Sequence, residues 1–556
     1  MKKFFLHAAF FTLASVVLFS CNGDGNVIDD DLTGNEVPVP TTATEATALV
    51  NAIYPPLQTL SSSYTFVLES ATETTVCFEE TVDDKDGPQV AVLGAKPDNW
   101  YAIKVFNRLY KSIAAANLAI DQIGKADVQN VSQKELLIAR SKFIRGYDYF
   151  QLVQLFGETP LILSSNAEKA STITRKSIDE VYAQVVKDLT EAILNLPEYS
   201  ATKSTPSQLA AKTILAKVYL TWGQKPLTIE QITAGVNTDP AKPEADNAKI
   251  TQAIAYANAV INSGKYALQT DFNQIWGVGN EDNQEVIFSI KHYGDAIDGQ
   301  AGGQGNHQTH CGYTWPKNER TDPHISYADI SFENAIPEGD ARRKYSYATT
   351  VKYHDAQNNI DTLTWPLSIV RPGKWIHRDG TGSDYALELQ PNDIDHIDFR
   401  LAEVYLIRAE ASLLLHDHVT ALSDLNKLRQ RAGAPLLTSA GTADLQAEWG
   451  YEFAFEQKNW LNLVRWKTLL SSIQKVKNYE YYKDRYSEAN KANFGSIVLN
   501  GIPADPTRVA FYNRVNKQLR LKVSNAEAGG QKFYRFPIPL SESRTSLEIN
   551  GQNPGY

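Results

Sequence analysis

ARSKFIRGYDYFQLVQLFGETPLIL, Ala139 to Leu163, reads as most of one long helix and the turn that stops it. With Leu136 just upstream, Ala139, Phe143, Tyr147 and Phe150 recur at helical spacing and form one apolar face. Ser132-Gln133-Lys134-Glu135 has the form of a capping box and predicts the start; Gly157 and Pro160 predict the stop. The segments on either side repeat this pattern. Upstream, Phe106, Leu109, Tyr110, Ile113, Ala116, Ile120 and Ile123 predict a helix from Tyr101 to a stop near Gly124. Residues 43–60 read as a first helix disturbed by Pro55 and Pro56, and 61–98 as loop. Downstream, Ser177–Glu180 is a second capping box, opening a helix to about Leu196. Thr205-Pro206 supplies an N-cap and a first-turn proline for the next helix, with Ala211, Leu215, Val218, Tyr219 and Trp222 on its face. Ile250, Ile254, Ala257 and Ile261 mark another, ending by Gly264.

From about Tyr266 to Ile397 the helical periods shorten. DGQAGGQGNHQTHCGYTWPKNERTDP, Asp298 to Pro323, is a long loop rich in Gly, Asn and Gln, and long loops of this kind in a folded domain commonly carry function. Helices resume at Phe399 in FRLAEVYLIRAEASLLL, with Ala402, Tyr405, Leu406, Ala409 and Leu413 on one face, followed by VTALSDLNKLRQRAG. Small alanines alternate with Tyr and Leu in helix after helix, as in tetratricopeptide-type hairpins, though without a strict 34-residue period. The expected fold is mostly α: a tetratricopeptide-like scaffold of helix pairs with an irregular, loop-rich insertion.

The N-terminus has a different character. Lys2 and Lys3 precede an apolar run, Phe4 to Phe19, that would span only about 24 Å as a helix, short of the ~30 Å hydrocarbon core. Leu18-Phe19-Ser20-Cys21 then resembles a bacterial lipobox, in which Cys21 is lipidated and becomes the new N-terminus. Acyl chains anchor a protein without any span. Asn22 to Asp31 carries four aspartates and no base, and looks like the surface-export tether of Bacteroidetes lipoproteins. The expected divisions are 1–20 signal peptide, 21–40 acidic tether, 41–265 N-terminal helical scaffold, 266–397 ligand-binding insertion, and 398–556 C-terminal helices with a closing segment. Loss of Lys2 and Lys3 takes the formal charge from −10 to −12, which argues against nucleic acid as a partner. Cys77 and Cys311 remain beside Cys21; they either pair or stay as buried thiols.

Several stretches together resemble the SusD/RagB family. They are the quoted Ala139–Leu163, FENAIPEGDARR (Phe332 to Arg343), DFRLAEVYLIRAEA (Asp398 to Ala411), ALSDLNKLRQRAG (Ala421 to Gly433), EFAFEQKNWLNLVRW (Glu452 to Trp466) and the closing FYRFPIPLSESRTSLEINGQNPGY (Phe533 to Tyr556). The chain departs from the family pattern at Gln457, where Gly is usual, at Asn462, where Asp is usual, and at Trp449, where Arg is common. The resemblance implies an outer-membrane lipoprotein, lipid-anchored and exposed at the cell surface. It would bind nutrient oligomers, most often glycans, and hand them to a SusC-like TonB-dependent transporter without turning them over. A RagB-like peptide binder with the same partner is the alternative, and a surface glycoside hydrolase a more distant one.

Sugar rings present CH-rich faces and a belt of hydroxyls, so a glycan binder wants exposed aromatic planes flanked by polar side chains. Two regions fit: Asn99, Trp100 and Tyr101 after a loop, and Tyr293, Tyr313 and Trp315 in and near the Gly-rich loop. The resemblance places the glycan platform at just these two locations. Trp222 and Trp466 lie on helical faces and are assigned to the core; Trp276 and Trp365 stay unassigned. His307, His310 and Cys311 supply too few ligands for a thiolate–zinc site and are read as loop residues. No metal or cofactor is expected; VDDKDG (Val82 to Gly87), a partial likeness to a calcium loop, leaves calcium as the one open question. No G-x-S-x-G, H-E-x-x-H or P-loop pattern is present, and acidic pairs such as Glu79-Glu80 do not define a catalytic cleft.

Overall fold

The computed structural model describes residues 38–58, 60, 64–77, 86–126, 131–165, 174–276, 280–292, 395–478, 506–539 and 551–556, with short pieces between 326 and 386. Helices dominate, and most pack on the helix before them. They are α1 (Ala43–Asn51), α2 (Trp100–Lys125), α3 (Val131–Phe156), α4 (Ile178–Ile193), α5 (Gln208–Gly223), α6 (Asn247–Ile261), α7 (Leu401–Leu414), α8 (His418–Ala432), α9 (Thr442–Phe453), α10 (Asn459–Trp466) and α11 (Pro506–Gly529). From α2 to α8 each helix lies against its neighbour in order, and α6 packs directly on α7 although the chain between them is long. The helix stack is therefore continuous in space and interrupted in sequence.

Close packing follows from side-chain size. Ala211, Ala216, Ala253, Ala257, Ala402, Ala409 and Ala411 have no exposed surface, which lets the helix backbones approach. Gly146 does the same between α3 and α4, where an added Cβ would lie 3.1 Å from Leu189 Cγ and 3.3 Å from Asp188 Cβ. The quoted stretch is the centre of the molecule: from Phe143 to Phe156 every residue of α3 is buried. A bidentate ion pair, Arg145 Nε and Nη2 to Asp188 at 2.8 and 2.7 Å, ties α3 to α4. Gly157 ends α3 at φ +77, a conformation that favours glycine, and Arg535 of the closing segment packs where a side chain would otherwise be.

The chain leaves the stack after α6 and returns through a two-stranded antiparallel sheet, β1 (Val286–Ile290) with β2 (His396–Arg400). Both strands are wholly buried, and the register sets His396 opposite Ile290 and Arg400 opposite Val286. The described residues between them form short strands, among them a hairpin of Thr350–His354 with Ile360–Thr364, and a short helix, Ala341–Ser346. Ser326–Ala328 pairs back to Thr75–Cys77 near the start of the chain.

Several boundaries differ from the sequence reading: the first helix stops at Asn51, and 61–98, read as loop, holds the strand Thr75–Cys77 and a short helix, Asp86–Ala91. Helix α3 begins at Val131, so Ser132 lies inside its first turn and does not cap it. Ser207, not Thr205, caps α5: its hydroxyl accepts from Ala210 N–H, and Pro206 precedes the helix. Phe399 and Arg400 belong to β2, and α7 starts one residue later because the strand pairing holds Arg400 extended. The Ser177–Glu180 capping box is formed as expected.

Candidate functional site

Helix α2 begins at an exposed ring. Asn99 caps it: its side-chain oxygen accepts from Tyr101 and Ala102 N–H at 3.2 and 3.3 Å, and its amide donates to Asp86 O at 2.9 Å. Asp86 Oδ1 accepts from Trp100 N–H at 2.9 Å. These contacts use the first free N–H groups of the helix and leave Asn99 with no exposed surface. A step of 100° per residue then turns Tyr101 into the core, 3 % exposed, and Trp100 outward, 41 % exposed. The Tyr101 ring meets the Trp100 ring edge-on, with centroids 4.9 Å apart. One helical turn on, Lys104 Nζ lies 4.5 Å from the centre of the indole. Among the described residues Trp100 is the most exposed tryptophan; its apolar peers at the surface, such as Leu194 and Val419, are scattered aliphatics.

Of the three residues expected here, Trp100 alone presents surface, and Asn99 and Tyr101 hold it from beneath. Tyr293, Tyr313 and Trp315 lie outside the described residues, as do Cys21, His307, His310, Cys311, the Trp365 ring and most of the Val82–Gly87 loop. Asp86, the described acid of that loop, serves as a helix cap. Among the described residues no group of three or more His, Cys, Asp or Glu is placed to hold a metal.

Two other tryptophans settle. Trp276 is buried, with Lys374 Nζ 5.0 Å from its ring. Trp466 is core, but Trp222 is half-buried, which corrects its assignment to the core. Its ring stacks on Tyr182 at 5.6 Å and 7°, followed by Tyr219 and Tyr256 in a row, and its N–H is held by Asp179.

The motifs that repeat the family pattern converge elsewhere, on a lattice of ten buried charges that periodicity did not reveal. Arg400 Nη1 reaches Glu285 and Glu452 at 2.8 and 2.6 Å, while its Nε and Nη2 grip Glu456, both at 2.8 Å. Arg342 bonds Asp340 at 2.6 Å, Glu452 at 3.1 Å and Glu448. Arg431 bonds Glu285 at 3.0 Å and also Glu452; Arg429 bonds Glu448 at 3.0 Å; Lys374 bonds Glu456 at 2.7 Å. Five cations thus face five carboxylates. Burial alone would raise the Glu452 carboxyl, but the guanidiniums of Arg431, Arg400 and Arg342 hold it well below the usual carboxylate range. Burial outweighs Glu456 at Lys374 and pushes its ammonium down to about 8. The lattice joins β1, β2, α8, α9 and pieces of the insertion, so its members position the fold and present nothing to a ligand. Its members are scattered from Glu285 to Glu456, and local spacing does not bring them together.

Trp449, at a position where the family has Arg, belongs to a second buried cluster. Its N–H donates to Glu410, which also accepts from Arg465 at 2.9 and 2.8 Å and from Trp466 at 2.9 Å, and Lys217 Nζ stands 4.1 Å from the Trp449 ring. Gln457, where glycine is usual, sits at φ +62 with its N–H donated to Glu69.

Comparison with known proteins agrees with this architecture. Residues 38–220 match the model of a family described as starch-binding associating with outer membrane, and residues 262–556 match the SusD family model. A SusD-like protein of Bacteroides ovatus is 24 % identical over 437 residues, covering 70 % of this chain and 71 % of that one. The starch-binding protein SusD of Bacteroides thetaiotaomicron is 26 % identical over 441 residues, 70 % of this chain and 74 % of that one. Among solved structures, a SusD homolog from Bacteroides thetaiotaomicron superposes with a TM-score of 0.70 at 19 % identity, over 95 % of this chain and all of that one. A laminarin-binding SusD-like protein superposes at 0.64 and 20 %, over 93 % of this chain and all of that one. The helix stack, its long excursion between α6 and α7 and a motif-by-motif match across more than half the chain make this protein a member of the SusD family.

Proposed function

We propose that the protein is a surface glycan-binding lipoprotein that passes oligosaccharides to a SusC-like TonB-dependent transporter without cleaving them. The observation that carries the reading is the exposed indole of Trp100, held rigidly by a capped helix in a chain of this family. A flat apolar ring with a cation beside it suits the CH-rich face and the hydroxyls of a sugar. Two relatives support the ligand class by their names, one binding starch and the other laminarin. Tyr293, Tyr313 and Trp315 are proposed as the other half of the platform, and Cys21 as the lipidated residue that fixes the protein to the outer membrane.

Native gels containing starch, laminarin or xyloglucan test the ligand class, with chromatography of the same mixtures for products. Retardation by at least one polysaccharide and no shortened chains is expected. Product formation would make the protein a hydrolase, and binding of peptides alone would make it a peptide receptor. Cys21→Ala should release the protein from membranes of cells lacking the transporter partner; retention there would put the anchor elsewhere.

A further inference from the structure

A small cavity lies where α3, α5, α10 and the closing segment meet, far from Trp100 in role and chemistry. Its polar lining is Gln154, Tyr182, Thr221, Arg465, Lys467 and Arg535, between apolar walls. The space open to the centre of a water-sized occupant is about 20 Å³, where a single water needs about 10–15 Å³. A water or a small ion fits this space.

The lining acceptors are the Tyr182 and Thr221 hydroxyls and the amide oxygen of Gln154, whose nitrogen donates to Phe150 O at 3.1 Å, against three cationic side chains that only donate. Four of its groups are buried with no hydrogen-bond partner: Arg465 Nη1, Arg535 Nε, the Tyr182 hydroxyl and the Thr221 hydroxyl. Arg465 gives Nε and Nη2 to Glu410, which leaves Nη1. Arg535 gives Nη1 and Nη2 to the carbonyls of Tyr534 and Leu227, which leaves Nε. Lys467 Nζ donates to the carbonyls of Gln224 and Arg465 at 3.0 and 3.3 Å. Among the described residues neither Arg535 nor Lys467 has a carboxylate in ion-pair contact; Glu158, the acid that acts on Arg535, lies 3.9 Å from Arg175. Of the three cations only Arg465 has, among the described residues, a carboxylate in ion-pair contact, Glu410. Burial, with Arg535, Lys242 and Arg465 nearby, pushes the Lys467 ammonium down to about 7, the response of a cation without a counter-charge. A guanidinium N–H only donates. A water would accept at most two of these bonds and bring no charge, whereas a monatomic anion accepts from all sides and supplies the missing negative charge.

We propose that this cavity is a binding site for one chloride-sized monovalent anion, held by Arg465 and Arg535 with the hydroxyls of Tyr182 and Thr221. The ion joins the closing segment, through Arg535, to the helix stack, through Tyr182 and Thr221.

Two measurements on the full-length protein test it together. Thermal unfolding is followed as chloride replaces gluconate at fixed ionic strength, and crystals grown in bromide are measured for anomalous scattering. Expected are a bromide peak in the cavity and a Tm that climbs about 1 °C per tenfold chloride above half-saturation, the increment for one ion bound to a folded chain of this size. Thr221→Val keeps the side-chain shape and should raise the half-saturating chloride at least fivefold. A bromide peak with Tm flat in chloride would mean binding at crystal concentration only and overturns the site. So does a chloride-dependent Tm with the cavity empty of bromide, which puts the effect elsewhere. Water in the cavity with a flat Tm overturns it equally.

Discussion

The lattice around Arg400 and the ring of Trp100 are built on opposite terms. In the lattice ten charged side chains are buried and paired, and seven of them bond two or more others. At the rim one aromatic face is left open, and every group beneath it serves only to hold the helix end in place. Family motifs fill the first region and are absent from the second. The difference teaches that the quoted family motifs encode how the excursion is bolted to the scaffold, while the ligand face proposed above rests on a residue outside those motifs. A buried network in which most members have two or more partners tolerates little change; an exposed ring can change with the ligand at small structural cost.

The comparison breaks most visibly at Arg400. Arg400→Leu removes the cation shared by Glu285, Glu452 and Glu456 and leaves buried carboxylates uncompensated, which costs about 3–5 kcal/mol. Denaturant unfolding should show that loss, or the variant should fail to accumulate folded; a midpoint within experimental error of the parent would show that the lattice contributes nothing.

Acid should undo the same region next. Glu410, held down to about 2 by Arg465 and Lys217 against its burial, and Glu452 below the usual range, have folded-state values beneath their unfolded value of 4.5. Their contribution is complete above pH 4.5 and is lost as pH falls towards 2. Glu69 and Asp395, raised by burial to about 8 and about 7, are already protonated in the folded chain, and because their unfolded forms take up protons near 4.5 and 3.8 they offset part of that loss without reversing it. The denaturant midpoint should therefore fall steadily between pH 4.5 and 3. A flat profile across that interval would mean the carboxylates are not paired as described.

The smallest expected effect sharpens the comparison from the other side. Gln457 occupies a left-handed backbone position where the family has glycine. Gln457→Gly should stabilise by up to about 1 kcal/mol, offset in part by the entropy of the glycine. Destabilisation by that amount would show that the glutamine side chain, not the backbone angle, decides the position.

Much of the architecture is legible in the sequence because helical periodicity is a local property. Phe143, Tyr147 and Phe150 announce α3, and Ser177 with Glu180 announces α4. Local rules failed where tertiary contacts decide. Strand pairing with Val286–Ile290 claims Phe399 and Arg400 from a sequence that reads as helix, and Ser207 displaces Thr205 as a cap through the geometry of the preceding turn. The exposed face of Trp100 followed from its place after a loop, but the burial of Asn99 and Tyr101 did not, since that depends on which way the helix rolls onto the core. The charge lattice was invisible because its members are distant in sequence: Arg400 meets Glu285, Glu452 and Glu456 only in the folded chain.

The central claim, that a sugar stacks on the indole of Trp100, is tested most directly by titration calorimetry of the parent and of Trp100→Ala with a polysaccharide that retards the parent. Loss of a stacking face worth about 1–2 kcal/mol predicts affinity lower by about 5- to 30-fold. Because the ring is 41 % exposed and outside the core, Tm should stay within about 1 °C of the parent. Equal affinity in the two proteins, with the fold intact, would contradict the account.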